Sequence, residues 1–310
     1  MHHLVTLLVC ACVLTAMPQL AAAERGSADA PLRVMLIPAD GGTEDGTKAD
    51  FQPVFSAVTR TTGLQFEIRV GQSYSSVIEG MANAQVDIGF FGPVSYLQAR
   101  ERGGAELLAV AVEKGQSVYY SGVFAKAGLG LAKPADLKGA GRSIALGDVN
   151  STSSFAYPLA MLIAAGIDPV KDFGRIIMAG SHANSLKALD EGKVDVCCAS
   201  FDSFEKAVNQ KAIDPAKFVV LGKSEPIPYP PLAMHPKLPA ATKQKLKQAF
   251  ATVHEAPGVT KEMIRGYGGK KVDRYDTTVA EEVFTASGAK LNAVNDALKA
   301  EILKKAGAGK

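Results

Sequence analysis

The chain has 310 residues, of which 47% are hydrophobic and 21% charged, with a formal net charge of +3 and no tryptophan. That composition is that of an ordinary globular protein and excludes a disordered, collagenous or disulfide-framework chain, while so small and evenly spread a charge excludes a dedicated nucleic-acid binder. Single hydrophobic cores stop growing near about 250–300 residues, so two lobes are expected.

Residues 1–23 hold no Asp, Glu, Lys or Arg, and run from an apolar stretch, Leu4 to Met17, through Pro18 to Ala21-Ala22-Ala23. This reads as a cleaved secretory signal with Glu24 as the first mature residue, although His2 and His3 stand where Lys or Arg is usual. The apolar run is shorter than the about 20 residues a membrane-spanning helix needs. A lipoprotein reading at Cys10 or Cys12 would truncate the apolar core. The expectation is therefore an exported, soluble protein of the periplasm. Beyond the signal only Cys197 and Cys198 remain. Adjacent cysteines cannot close an ordinary loop, which leaves a strained vicinal disulfide or, as expected here, two small buried residues on a strand. His182, His235 and His254 are widely separated, so no metal site and no cofactor are expected.

Strand-like and helix-like runs then alternate, the pattern of a mostly parallel α/β sheet. In the first series, strands are expected at Leu32 to Ile37, Phe66 to Val70, Val86 to Phe91, Leu107 to Ala111 and Val118 to Phe124. Helices are expected near Phe51 to Thr61, Ser75 to Ala84 and Val94 to Arg102, with a polar loop from Asp40 to Gly46. A second series follows Gly128, with strands at Ser143 to Leu146, Arg175 to Met178, Val194 to Cys198 and Phe218 to Leu221. Its helices are expected at Thr152 to Ala165, Asn184 to Asp190 and Phe204 to Asn209. The proline-rich stretch Glu225 to Pro231 reads as a connector, because proline suits neither regular helix nor central strand. From Ala240 onward the pattern is mostly helical, with a frayed tail from Lys304 to Lys310. No period of 20–50 residues repeats, which argues against a solenoid.

The segment Gly147-Asp148-Val149-Asn150-Ser151-Thr152-Ser153-Ser154 lies between a strand and an apolar helix. Such turns sit at the carboxyl edge of α/β sheets, where ligands bind. A helix start offers unpaired N–H groups and partial positive charge. A Ser or Thr run there ordinarily serves as an N-cap, but three hydroxyls in a row exceed what capping needs and suit an oxyanion. His182, in Gly180-Ser181-His182, follows the next strand and is expected on the neighbouring edge loop, close enough to donate to the same anion. Tyr74, Tyr96 and Tyr119 fall at comparable places in the first series; tyrosines there are ordinarily packing residues.

Taken in order, Gly92-Pro93-Val94-Ser95-Tyr96, Gly147-Asp148-x-x-Ser151-Thr152-Ser153, Gly180-Ser181-His182 and Ser224-x-Pro226-Ile227-Pro228 resemble the PhnD-type family. These are the phosphate-, phosphite- and phosphonate-binding proteins of ABC importers. The resemblance, over roughly residues 32–235, implies a two-lobed type II periplasmic-binding-protein fold: two α/β domains joined by a hinge, with the ligand cleft between them. It implies lobe crossovers near Gly122–Lys126 and Lys223–Tyr229, hence residues 24–122 in lobe I, 123–223 in lobe II, and 224–310 as the return segment of lobe I with the C-terminal helices. Position by position it implies anion donors at Ser151, Thr152, Ser153 and His182, cleft tyrosines at Tyr74 and Tyr119, and an acidic ligand contact at Asp202. Tyr96, within the first motif, is a further candidate contact. Where aminoalkylphosphonate binders carry a second Asp, this chain has Pro230. An ammonium group buried with one acid is poorly compensated. The expected ligand is therefore small — phosphite, phosphate or a short phosphonate — with Tyr229 at the rim shortening the pocket.

The resemblance implies binding without turnover, a separate ABC permease in the membrane as partner, and a monomer. An exported phosphoester hydrolase would need a metal cluster or an activated nucleophile, and no Gly-x-Ser-x-Gly elbow surrounds Ser151 to Ser153. A sensory protein of the periplasm would share the same site.

Overall fold

The structure is a computed structural model and describes residues 24–41 and 44–308; the expected signal segment, with Cys10 and Cys12, lies outside the described residues. In chain order the first elements are β1 (Leu32–Leu36), α1 (Ala49–Thr62), β2 (Phe66–Val70), α2 (Tyr74–Ala82), β3 (Ile88–Phe90), α3 (Pro93–Gly103), β4 (Glu106–Val112) and β5 (Val118–Tyr119). There follow β6 (Ser121–Lys126), β7 (Arg142–Leu146), α4 (Tyr157–Ala164), β8 (Phe173–Met178), α5 (His182–Asp190), β9 (Val196–Ser200), α6 (Phe201–Asn209) and β10 (Phe218–Lys223). The chain then runs through β11 (Ile227–Pro228), β12 (Pro231–Met234), α7 (Ala240–Thr252), β13 (Arg274–Asp276), α8 (Glu282–Ala289) and α9 (Asp296–Ala308).

Two sheets divide the molecule into two α/β lobes. One is six-stranded, in the order β13-β4-β12-β3-β1-β2; the other is five-stranded, β10-β6-β9-β7-β8. Both are mixed, where a mostly parallel sheet was expected. β2-β1-β3 and β9-β7-β8 are parallel, but β12 runs antiparallel between β3 and β4, and β6 antiparallel between β9 and β10. The chain leaves the first sheet after β4 and re-enters it at β12, so the strands on either side of a crossing run against their neighbours. The single strand expected over Val118 to Phe124 is accordingly two. Tyr119 pairs with Ile227 in a short ribbon, whereas Ser121 pairs with Ser200 of the second sheet.

The proline-rich stretch is more than a connector. Its last residue opens β12, a fully buried central strand. Proline is tolerated there because it stands first, where its missing N–H interrupts no ladder, and its carbonyl still accepts from Phe91 N at 3.0 Å. The region after Ala240 is also less helical than its pattern implied. Between α7 and α8 lie short turns and β13, which completes the first sheet against β4. The tail is helical as far as Ala308, and α9 packs on the second lobe, with Val294 and Ile302 in that lobe's core. The return segment thus serves both lobes.

The central strand β9 is buried on both faces, because helices cover each side of a βαβ layer. Successive side chains of a strand point to opposite faces. Cys198 therefore joins the core on one face with Val123, Leu146 and Phe155, and Cys197 the core on the other with Phe124, Ala145 and Leu186. That alternation is why the adjacent thiols are free. Burial raises the pKa of both well above the ordinary thiol value. In protein beginning at Glu24, Ellman's reagent should label neither thiol in the native state and both in guanidinium; rapid labelling of the folded protein would contradict this packing.

Candidate ligand-binding site

A small cavity, with about 10 Å³ open to a water-sized sphere, lies between the two sheets and is lined from both lobes by Ile37, Ala39, Tyr74, Phe90, Gly92, Tyr119, Ser151, Thr152, Ser153, His182, Pro230 and Tyr267. Its polar wall is built from helix beginnings. Tyr74 is the first residue of α2, Gly92 the N-cap of α3, Ser151 the cap of the helix leading through Thr152–Ala156 into α4, and His182 the first residue of α5. Each helix start carries partial positive charge and N–H groups without intrahelical partners. Among the described residues, no Lys, Arg, Asp or Glu lines the cavity.

Local chemistry explains each placement. Gly147 is required after β7: a Cβ there would stand 1.9 Å from Ser154 Oγ. The chain then turns, with Asp148 accepting from the N–H groups of Asn150 and Ser151 through its carboxylate and carbonyl respectively. Ser151 Oγ caps the helix by accepting from Ser154 N at 3.2 Å. Capping therefore uses one hydroxyl of the run. Thr152 Oγ1 accepts from Val94 N at 2.8 Å across the lobes, which leaves its own hydrogen to donate. Gly92 permits that approach, since a Cβ on it would meet Thr152 Oγ1 at 3.1 Å. Ser153 is held by its carbonyl, which accepts from Ser121 Oγ at 2.7 Å.

His182 does not sit on a loop; it opens α5, after the cap Ser181. Its N–H donates to Ala39 O of the first lobe at 2.9 Å. Its Nδ1 accepts from Ser200 N at 2.9 Å, so in the neutral ring the hydrogen is on Nε2, 3.3 Å from Ser151 Oγ and facing the cavity. Complete burial depresses its pKa to about 3. The ring is thus a neutral donor at physiological pH. The phenols of Tyr74, Tyr119 and Tyr267 are likewise raised by burial and remain donors.

The structure brings together six of the residues singled out from sequence, Tyr74, Tyr119, Ser151, Thr152, Ser153 and His182. It corrects two others. Tyr96 does not line the cavity: its hydroxyl donates to Glu281 Oε1 at 2.5 Å and its ring packs on Phe284. Asp202 does not line it either, because its carboxylate is taken by Lys270 Nζ at 2.9 Å; burial still raises its pKa to about 6. Tyr229 is not the rim residue expected. Its hydroxyl donates to Tyr267 O at 3.2 Å, and Pro230 faces the cavity instead. Tyr267 was missed altogether. It touches His182 and Tyr119 edge-on, with ring centroids 6.0 Å apart in each case. The signal for it was Gly266-Tyr267-Gly268-Gly269, a glycine-flanked aromatic that marks a turn inside a stretch read as helical.

A larger groove of about 510 Å³ lies between α3 and the turn joining α8 to α9, lined by Val94, Leu97, Leu291 and Val294 among others. It lacks convergent hydroxyls and carries no comparable chemistry. For the small cavity, the neutral assignment of His182 has a measurable consequence. Because its folded pKa of about 3 lies below the usual 6.5, the unfolded chain binds more protons between those values. Its contribution therefore destabilises the fold progressively as pH falls from 6.5 towards 3. Nitrogen NMR should show an Nε2-protonated neutral ring with no titration between pH 5 and 8, and a titration midpoint near 6.5 would refute the assignment.

Comparison with known proteins agrees with this geometry. The family model described as "ABC transporter, phosphonate, periplasmic substrate-binding protein" matches residues 42–277. The "Phosphate-import protein PhnD" of Mycolicibacterium smegmatis is 30% identical over 264 residues, which is 80% of this chain and 78% of that one. The "Phosphonates-binding periplasmic protein" of Escherichia coli is 25% identical over 69% of this chain and 64% of its own length. Among solved structures, Prochlorococcus marinus PhnD1 in complex with methylphosphonate superposes with a TM-score of 0.73 at 17% identity, over 84% of this chain and 98% of that one. A binding component of an ABC phosphonate transporter from Pseudomonas aeruginosa gives 0.71 at 21% identity, over 90% and 99%. The two lobes thus form a type II periplasmic-binding-protein fold, and the chain belongs to the family of periplasmic substrate-binding proteins of phosphonate ABC transporters.

Proposed function

We propose that the protein captures a phosphorus oxyanion (phosphite, phosphate or a short phosphonate) without turning it over, and delivers it in the periplasm to the membrane permease of an ABC importer. The observation that carries this reading is the donor set: hydroxyls, one neutral imidazole and helix starts from both lobes converge on one small cavity with no charged side chain among the described residues of its lining. Hydrogen bonds to a charged group contribute about 1.5–3 kcal/mol each, so four or five suffice for micromolar or tighter binding, about −8 kcal/mol, after ordering costs. The permease would recognise the closed form.

Ligand size and charge follow from the same walls. Pockets for drug-sized ligands measure roughly 300–1,000 Å³, far more than the about 10 Å³ open here to a water-sized sphere, so the site suits only the smallest oxyanions. Ile37, Ala39, Phe90 and Pro230 add apolar surface to the lining, which suits a hydrogen or methyl group as one substituent on phosphorus. An ammonium group has no carboxylate to meet, because Asp202 is already paired with Lys270. The names of the phosphate-import and phosphonate-binding relatives support the ligand class.

Calorimetric titration should show phosphite, phosphate and methylphosphonate binding, with 2-aminoethylphosphonate at least tenfold weaker than the best of them. Tightest binding by the amine would overturn the size and charge argument. Thr152→Val and His182→Ala should each weaken binding at least tenfold with an unchanged circular dichroism spectrum. Unaltered affinity in both would remove the anion from this cavity.

A further inference from the structure

Helix α6, which begins the second lobe's closing edge, is gripped along its first two turns by groups of the first lobe. Ser200 Oγ and Ser203 Oγ lie 2.9 and 2.6 Å from Tyr267 OH, and Ser203 Oγ also donates to Asp40 Oδ1. Asp202 and Glu205 share Lys270 Nζ, at 2.9 and 3.0 Å, with Glu113 at 3.9 Å. Lys206 Nζ reaches into the first lobe and binds Asp50 Oδ1 at 2.5 Å and Gly46 O at 3.0 Å, with Asp40 Oδ2 at 3.7 Å. Every polar side chain from Ser200 to Lys206 therefore has a partner across the cleft.

The arrangement is reciprocal. The first lobe inserts one lysine between two acids of α6, and α6 inserts one lysine between two acids of the first lobe. Residues 202, 205 and 206 follow the i, i+3, i+4 spacing that puts side chains on one helix face. The core of the contact is dry: the side chains of Lys206, Asp40, Asp50 and Asp202 are 9%, 4%, 2% and 5% exposed. Gly268 lets the backbone approach, since a Cβ there would stand 3.0 Å from Asp202 O. Apart from Tyr267, none of these residues lines the anion cavity. Yet the start of α6 is tied to it, because Ser200 N orients the His182 ring.

We infer that Lys270 and Lys206, with their acidic partners, form a clasp on α6 that favours the closed form independently of the ligand and so sets affinity from outside the cavity. Lys270 and Lys206 are positioning residues: they touch no ligand but hold the edge that carries Ser200 and His182. A buried charge whose partner is removed is strongly destabilising, so deleting one lysine penalises the closed form and spares the open one, where the acids regain water. The apparent dissociation constant scales inversely with the fraction of closing-competent protein, and a contact made after encounter acts mainly on dissociation.

The inference rests on the proposed anion-binding role, and two measurements keep them separable. With phosphite as probe, Lys270→Met and Lys206→Met should each raise the dissociation rate at least tenfold, with association changed less than threefold. Lys270→Arg should restore near-native affinity. In the cycle with Asp202→Asn, the double variant Asp202→Asn/Lys270→Met should bind no worse than the weaker single; additive losses, or unchanged rates in both lysine variants, would overturn the clasp. Small-angle scattering of ligand-free protein reads closure without any anion. The parent should be more compact than Lys270→Met at low salt. Identical profiles at low salt would overturn the clasp, whereas a parent that shows this difference yet binds no phosphorus oxyanion would overturn the ligand reading alone.

Discussion

An anion can be buried between two lobes only if something replaces its water, and the proposed site offers that replacement with no cation among the described residues of its wall. Four helix starts converge on one small space and supply oriented N–H groups, hydroxyls and a neutral imidazole. The rest of the site follows from this constraint. Gly147 and Gly92 are small because Ser154 and Thr152 must come close. His182 is deprived of its charge by burial and of its tautomeric choice by Ser200 N. The phenols stay protonated for the same reason the imidazole stays neutral: burial disfavours the charged form.

Closure is built separately from capture. Backbone and side-chain bonds cross the cleft beside the anion cavity, from Val94 N to Thr152 Oγ1, His182 N to Ala39 O and Asn150 Nδ2 to Ser75 Oγ. The ionic contacts lie further out, on α6. Charges are thus kept where they pair with each other, and neutral donors where they line the cavity. A fixed lysine in the cavity would bind anions less selectively, and a free carboxylate would repel them.

The cavity was legible from sequence to the extent that it is made of local motifs. The Ser151–Ser153 run follows a strand and precedes an apolar helix, and that neighbourhood alone places it at a sheet edge. Tyr74 and His182 likewise open helices after strands. Tyr96 satisfied the same local rule and was misplaced, because its hydroxyl finds Glu281 on a segment far along the chain. Asp202 also obeyed its motif, and Lys270 claimed it. Tyr267 escaped notice because nothing within a few residues of it signals a ligand.

Most of the order of strands and helices as far as β10, the division into two α/β series and the hydroxyl-rich helix start were properties of near neighbours: period, capping and turn chemistry act over three or four residues, and the chain states them directly. Strand direction was not, and β12 illustrates why. Pro231 argues locally against a central strand, yet the returning chain must fill the space between β3 and β4, and burial outweighs the lost donor at the strand's first residue. The pairing of charges was not legible either. Which lysine meets which acid across the cleft is decided when the lobes meet, and the energy of that choice belongs to desolvated contacts between segments that no local pattern connects.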